Sequence, residues 1–120
     1  MASKQSTATL KQGTSKGRLS GFCPRFHHAV ELVGRRWTGA ILRALIAGPR
    51  RFNELLHTVP GLSDRLLSER LRELEAEGLL GRSVAAGPPV SVHYELTKAG
   101  HSLEPVIEAI SEWAERWISV

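Results

Sequence analysis

Residues Ser63 to Glu77 constrain the fold of this chain more than any other stretch. Counted at about 100° per residue from Asp64, Leu67, Leu71 and Leu74 fall at roughly 300°, 340° and 280°, a narrow apolar seam along a helix. Asp64, Arg65, Ser68, Glu69 and Arg72 fall between roughly 0° and 140°, on the far side. Arg70 falls near roughly 240°, at the flank of the seam, where a structural role beside an acid is expected. Ser63 is a good N-cap, because its hydroxyl can accept one of the backbone N–H groups left open at a helix start. Gly78 supplies the left-handed residue on which many helices end. A rod with one apolar edge has to bury that edge against other short elements.

The flanking residues say what those elements are. Cys23-Pro24 opens a helix with proline at its first position and Cys23 near the N-cap. Phe26, Val30 and Val33 recur at helical spacing, and Gly34 closes it. A second helix runs from about Trp37 to Ala47, with Trp37, Ile41, Leu42 and Leu45 on one face and Gly48-Pro49 as its stop. A third covers about Arg51 to Thr58, before the Pro60-Gly61 turn. After Gly78 come two strand-like segments, Leu80 to Ala85 and Val90 to Leu96, separated by Gly87, Pro88 and Pro89. Alternation turns Val92, Tyr94 and Leu96 inward and Ser91, His93 and Glu95 outward. Thr97 then caps a long last helix reaching about Trp117. The order is α-α-α-α-β-β-α: mainly α with a small β-hairpin. Two short helices joined by a tight turn, followed by a two-stranded ribbon, describe a winged helix-turn-helix.

Charge points to the partner. Residues 1–52 carry ten Lys or Arg against one acid, Glu31; residues 53–120 carry six against eleven, and the chain is +4. The strongly basic half suits a polyanion. Residues 1–20, rich in Ser, Thr, Lys, Gln and Gly, read as a flexible basic N-terminal arm, and residues 21–120 as the winged domain with its dimerisation helices. No apolar run reaches membrane-spanning length, and no signal peptide is legible, so the expected location is the cytoplasm. No His-Glu-x-x-His, Cys-x-x-Cys, Gly-x-Ser-x-Gly or Gly-rich phosphate loop occurs, and adjacent His27 and His28 diverge on a helix. Neither an enzyme, a metal site nor a cofactor is expected.

The ordered set Cys23-Pro24, Gly34-Arg35-Arg36-Trp37-Thr38, Arg51-Phe52-Asn53-Glu54-Leu55, Leu67-Ser68-Glu69-Arg70-Leu71-Arg72-Glu73-Leu74-Glu75, Gly78-Leu79 and Tyr94-Glu95-Leu96-Thr97-Lys98-Ala99-Gly100 resembles the HxlR family, a branch close to MarR regulators. The likeness spans about residues 22 to 118. That family usually shows Gly-Gly-Lys-Trp where this chain has Gly34-Arg35-Arg36-Trp37. The resemblance implies a cytoplasmic bacterial regulator, a repressor or an activator, that binds double-stranded DNA as a homodimer. It implies the helix from Ser63 in the major groove, the hairpin in an adjacent minor groove, and a dimer interface on the first and last helices.

The residues supply candidates for each role. Ser63, Asp64, Arg65, Ser68, Glu69 and Arg72 form the reading face. Arginine forks suit a guanine edge or a phosphate, while Glu69, Glu73, Glu75 and Glu77 repel phosphate, as on an ordinary solvated helix face, and turn the later half of the helix outward. Arg35, Arg36, Arg50 and Arg51, at helix starts, are candidate backbone clamps. On the wing, Arg82 and His93 are the candidates, since the tip Ala85 to Pro89 carries no cation. Cys23, a thiol at a helix N-terminus beside Arg25, has the setting of a redox or electrophile sensor; the alternative is a small buried residue. Phe26, Val106, Ile107, Ile110, Trp113, Ala114 and Trp117 form an apolar set that a second subunit could cover, unless it folds onto its own core. Trp37, Trp113, His27 and Phe26 could line a groove for a small-molecule effector. A different class also fits the sequence: a winged-helix module that binds a protein in place of DNA.

Overall fold

The computed structural model describes residues 19–120. The basic arm expected over residues 1–20 lies, except for Leu19 and Ser20, outside the described residues. The chain forms two compact units that divide between Val33 and Gly34.

Among the described residues, the first unit contributes one helix, α1 (Pro24–Val33). Proline stands at its first position because its missing N–H would have no intrahelical acceptor there. Cys23 caps the helix. Its carbonyl accepts from the His27 N–H at 2.9 Å, and its Sγ accepts from the Phe26 N–H at 3.5 Å. The Phe22 and His27 rings meet at the helix start, tilted by 48° with centroids 5.5 Å apart.

The second unit holds α2 (Thr38–Ile46), a two-residue strand β1 (Arg50–Arg51), α3 (Phe52–Thr58), α4 (Asp64–Ala76), β2 (Leu80–Ala85), β3 (Ser91–Leu96), α5 (Lys98–His101) and α6 (Glu104–Trp117). Its core is aliphatic. Ile41, Leu42 and Leu45 of α2, Leu55 of α3, and Leu67, Leu71 and Leu74 of α4 are buried, with Leu80, Leu96 and Ile107 closing the periphery. The seam read from residues 67, 71 and 74 is therefore the inner edge of α4. Ser63 caps that helix, accepting from the Leu66 N–H at 3.1 Å, and Gly78 follows it with φ 79°. Only glycine adopts that conformation without cost.

The wing is a three-stranded antiparallel sheet in the order β1-β3-β2, where the sequence indicates a two-stranded hairpin. Arg50 pairs with Tyr94 and Arg51 with His93, so the start of α3 is stitched to the central strand. A two-residue strand has no periodicity to betray it. Burial alternates cleanly only at the base of β3, where Leu96 is buried and Glu95 exposed; Ser91 to Tyr94 are all half-buried.

The single last helix expected from Thr97 to Trp117 is two. Thr97 does cap, accepting from the Gly100 N–H at 3.2 Å, but the helix it starts is the four-residue α5. Pro105 has no N–H for the His101 carbonyl. The chain tightens instead, with Leu103 N–H bonding the Gly100 carbonyl at 3.0 Å, and α6 restarts on Leu103. α6 packs along α2, where the Arg43 guanidinium hydrogen-bonds the Ser111 hydroxyl. No helix among the described residues is long and apolar enough to cross a membrane.

Candidate nucleic-acid interface

Burying the seam of α4 leaves its opposite face free. Asp64, Arg65 and Arg72 are exposed, and Ser68 and Glu69 are half-exposed. The Arg65 side chain is 84% exposed, with Glu69 one turn away at 3.6 Å. Ser63 lies at the same end, but its hydroxyl oxygen is engaged in capping.

Arg70 shows what holds this helix at its angle. Its side chain is 9% exposed. Nε donates to the Arg36 carbonyl at 2.9 Å, and Nη1 lies 3.2 Å from the Glu73 carboxylate. The structural, acid-paired role expected for Arg70 is thus the one it has. It fastens α4 to the turn preceding α2. Glu73 also reaches Arg35 at 3.4 Å, so one carboxylate serves two elements.

That turn carries Arg35 and Arg36 on the surface. Trp37 takes the left-handed conformation, φ 77°, the one non-glycine residue with positive φ among those described. Such a conformation costs a bulky residue of order 1–3 kcal/mol and persists only where its surroundings fix it. Here the Trp37 ring lies against Gly61, where even a Cβ would come within 3.2 Å of it, and the Arg36 guanidinium sits 5.1 Å over the ring. Because the left-handed residue is Trp37, the arginine at position 35 needs no glycine-like backbone.

Arg50 and Arg51 are side by side in β1 but differ in freedom. Arg50 is half-buried, its Nε 3.4 Å from the Ala44 carbonyl. Arg51 is exposed and held by Glu54, whose carboxylate accepts from the Arg51 backbone N–H at 2.8 Å and lies 3.4 Å from its guanidinium. That backbone hydrogen bond, with the guanidinium charge, lowers the Glu54 pKa from its usual value.

On the wing, Arg82 is exposed and lies 3.8 Å from Glu75 across the gap to α4. His93 is half-buried in the central strand, opposite Ser83 on one side and Arg51 on the other. Between α4 and the sheet runs a cleft of about 320 Å³ lined by Ser68, Leu71, Arg72, Glu75, Arg82 and Tyr94. The sequence places Tyr94 in the core and Glu75 outside the site; both line this cleft.

The reading-face residues therefore share one helix, Arg82 of the wing faces it across the cleft while His93 points to the other side of the sheet, and the clamp candidates lie at the starts of α2 and α3. Exposed carboxylate pairs of this kind contribute about 0–1 kcal/mol each, so phosphate oxygens can replace the carboxylates at little cost. Among the described residues there is no group of three or more His, Cys, Asp or Glu placed to hold a metal ion.

Elsewhere, the Cys23 thiol is free and exposed in the single chain. The apolar set divides. Ile107 is buried within its own subunit and offers nothing to a partner, contrary to expectation; Ala114 is half-buried. Val106, Ile110, Trp113 and Trp117 remain exposed, the tryptophans at 58% and 68%, and Phe26 of α1 is exposed too.

Residues 32–120 match the model of the HxlR-like helix-turn-helix family. The chain is 46% identical over 99 residues to the HTH-type transcriptional regulator YvaP of Bacillus subtilis, covering 82% of this chain and 92% of that one. It is 40% identical over 95 residues to the HTH-type transcriptional regulator YodB of the same organism, covering 79% and 85%. The reduced form of YodB superposes with a TM-score of 0.74 at 38% identity over 82% of this chain and 97% of that one. YodB has also been solved diamide-treated, TM-score 0.68 at 38% identity over 82% and 98%. Its quinone-bound form has a TM-score of 0.70 at 38% identity over 80% and 100%. The redox regulator HypR in its oxidised form superposes with a TM-score of 0.76 at 37% identity over 82% and 100%. With the winged fold, the free face of α4 and a family match over most of its length, the chain belongs to the HxlR-like helix-turn-helix family of transcriptional regulators.

Proposed function

We propose that this protein binds double-stranded DNA as a homodimer at an inverted repeat and acts there as a repressor. The observation that carries the reading is the exposed guanidinium of Arg65 on the first turn of α4, opposite a seam that is wholly buried. The first half of α4 enters the major groove, with Asp64, Ser68, Glu69 and Arg72 beside Arg65. Arg35, Arg36, Arg50 and Arg51 hold the backbone, and Arg82 and His93 approach from the wing. A mobility shift with the promoter region adjoining its own gene tests this. Arg65→Ala should lose about 1–3 kcal/mol of affinity, roughly 5- to 150-fold, and relax the preference for that promoter over a scrambled duplex. No saturable shift on that promoter or on genomic fragments would favour a protein-binding module.

The partner copy covers the stripe of Val106, Ile110, Trp113 and Trp117 on α6, with Phe26 of α1 contributing. These α6 residues are spaced four, three and four apart, one continuous edge of a helix. Buried tryptophans dominate such interfaces, each worth about 2 kcal/mol or more on truncation. Trp113→Asp should therefore weaken the dimer by at least about 30-fold and shift sedimentation at micromolar concentration to the monomer. A wild-type monomer at that concentration would refute the dimer.

Cys23 puts the regulator under redox or electrophile control. YodB, with its diamide-treated and quinone-bound forms, and HypR, a redox regulator, support this reading. The thiol is exposed, at a helix start, and alone in the chain. Its products are then a disulfide between two subunits, each losing a thiol hydrogen to the oxidant, a mixed disulfide, or a quinone adduct. Diamide should abolish promoter binding by the wild type and spare Cys23→Ser; equal loss in both would refute thiol control.

A further inference from the structure

The cleft between α4 and the sheet holds an arrangement that neither base reading nor core packing explains. One wall is a single face of α4: Ser68, Leu71, Arg72 and Glu75 stand at positions i, i+3, i+4 and i+7, with buried Leu71 as the floor. The other wall is Arg82 and Tyr94, which are register partners on β2 and β3 and so present their side chains on the same side of the sheet. Two guanidiniums, a hydroxyl and a phenol thus surround about 320 Å³ of open space, and one carboxylate stands among them. Arg72 makes no ion pair among the described residues. Arg82 makes a loose one, 3.8 Å to Glu75, with both side chains about half exposed.

We infer that this cleft is an anion site for one phosphodiester of the DNA backbone, held by Arg72 and Arg82, and that Glu75 occupies the phosphate's place in the free protein. The inference rests on the DNA-binding reading and reassigns Ser68 and Arg72 from base reading to backbone positioning. Its chemistry is that of the groups present. A phosphodiester carries one negative charge and accepting oxygens, which suit two forked guanidiniums and two hydroxyl donors. A carboxylate also pairs with a guanidinium, so Glu75 competes with the incoming phosphate for Arg82. It acts as a built-in competitor that lowers affinity for every duplex alike, because phosphate contacts carry no sequence information.

The test uses the full-length protein, the promoter duplex beside its own gene and a scrambled duplex of equal length, each over a salt series. Glu75→Gln should tighten binding to both duplexes by about two- to fivefold, the exchange value of one exposed ion pair. Arg72→Ala and Arg82→Ala should weaken binding to both by similar factors, leave the ratio between them unchanged, and reduce the salt slope by about one each. In an Arg82→Ala background the gain from Glu75→Gln should shrink toward onefold. These side chains are exposed, and unchanged melting temperatures confirm intact folding. If the wild type binds neither duplex, the DNA-binding reading itself falls, and this site with it. If the wild type binds but Arg82→Ala leaves affinity and salt slope unchanged, the phosphate site alone is wrong. A Glu75→Gln gain that persists undiminished without Arg82 makes Glu75 a diffuse repeller and overturns the proposal, as does a promoter-specific loss in Arg72→Ala.

Discussion

Leu67→Ala is expected to cost about 2–5 kcal/mol of folding stability, the range for removing a fully buried leucine. Leu67 is 0% exposed, and so are Leu74 of the same seam and Ile41, Leu45 and Leu55 of the helices around it. Those helices are held by core contacts and the Arg70 fastening, so the cavity cannot collapse freely, and the upper part of the range applies. Thermal unfolding should fall by roughly 10 °C or more, since about 4–8 °C accompanies each kcal/mol in a domain near this size. Half-buried Leu66, one residue away, should lose clearly less on the same substitution, which separates the seam from helix propensity. A loss below about 1 kcal/mol at Leu67 would show that the seam is not what sets the face of α4.

Gly100→Ala is the second large effect, and there two magnitudes oppose each other. Within a helix, alanine is favoured over glycine by about 1 kcal/mol. A Cβ at Gly100, however, would collide with the Leu79 carbonyl and stand 3.1 Å from both Leu96 Cβ and Cδ2. That carbonyl already accepts the Thr97 N–H at 3.0 Å. Moving it means breaking the bond that fixes the end of the sheet to α5. Overpacking into fixed backbone costs about 1–3 kcal/mol, and here the unyielding neighbour is backbone, so it outweighs the propensity gain. Net destabilisation by chemical denaturation should follow, and the displaced hairpin base should weaken DNA binding further. A stabilised Gly100→Ala protein would mean that the sheet and α5 are not in this contact.

Helix α4 was legible because cap, seam and terminator all fall within one window: Ser63, the three leucines and Gly78. The wing's third strand was not, since Arg50 and Arg51 carry no alternating pattern and their partners, Tyr94 and His93, lie more than forty residues on. The break before α6 was written in Pro105, but the apolar spacing on either side masked it. Helical periodicity showed the stripe of α6 without its orientation. One edge, at Ile107, faces the subunit's own core, while the edge at Val106, Ile110, Trp113 and Trp117 does not. A wide stripe fixes which residues are apolar, not which side of it lies inward. At the candidate interface the cations could be named from composition and position. The carboxylates opposite them could not, except those one helical turn away, because the pairing of Glu75 with Arg82 exists only once the hairpin folds beside α4.

The short β1 pairing has a mechanical consequence. With Arg50 and Arg51 laced to the central strand, the root of the wing cannot swing without first unzipping from the start of α3. On the proposed DNA-binding reading, accommodation to a wider or narrower minor groove comes from the distal turn between Ala85 and Ser91, the segment farthest from that lacing. Contact at the root would keep a fixed spacing from the reading helix, so the protein would measure the duplex like a caliper with one rigid jaw and a compliant tip.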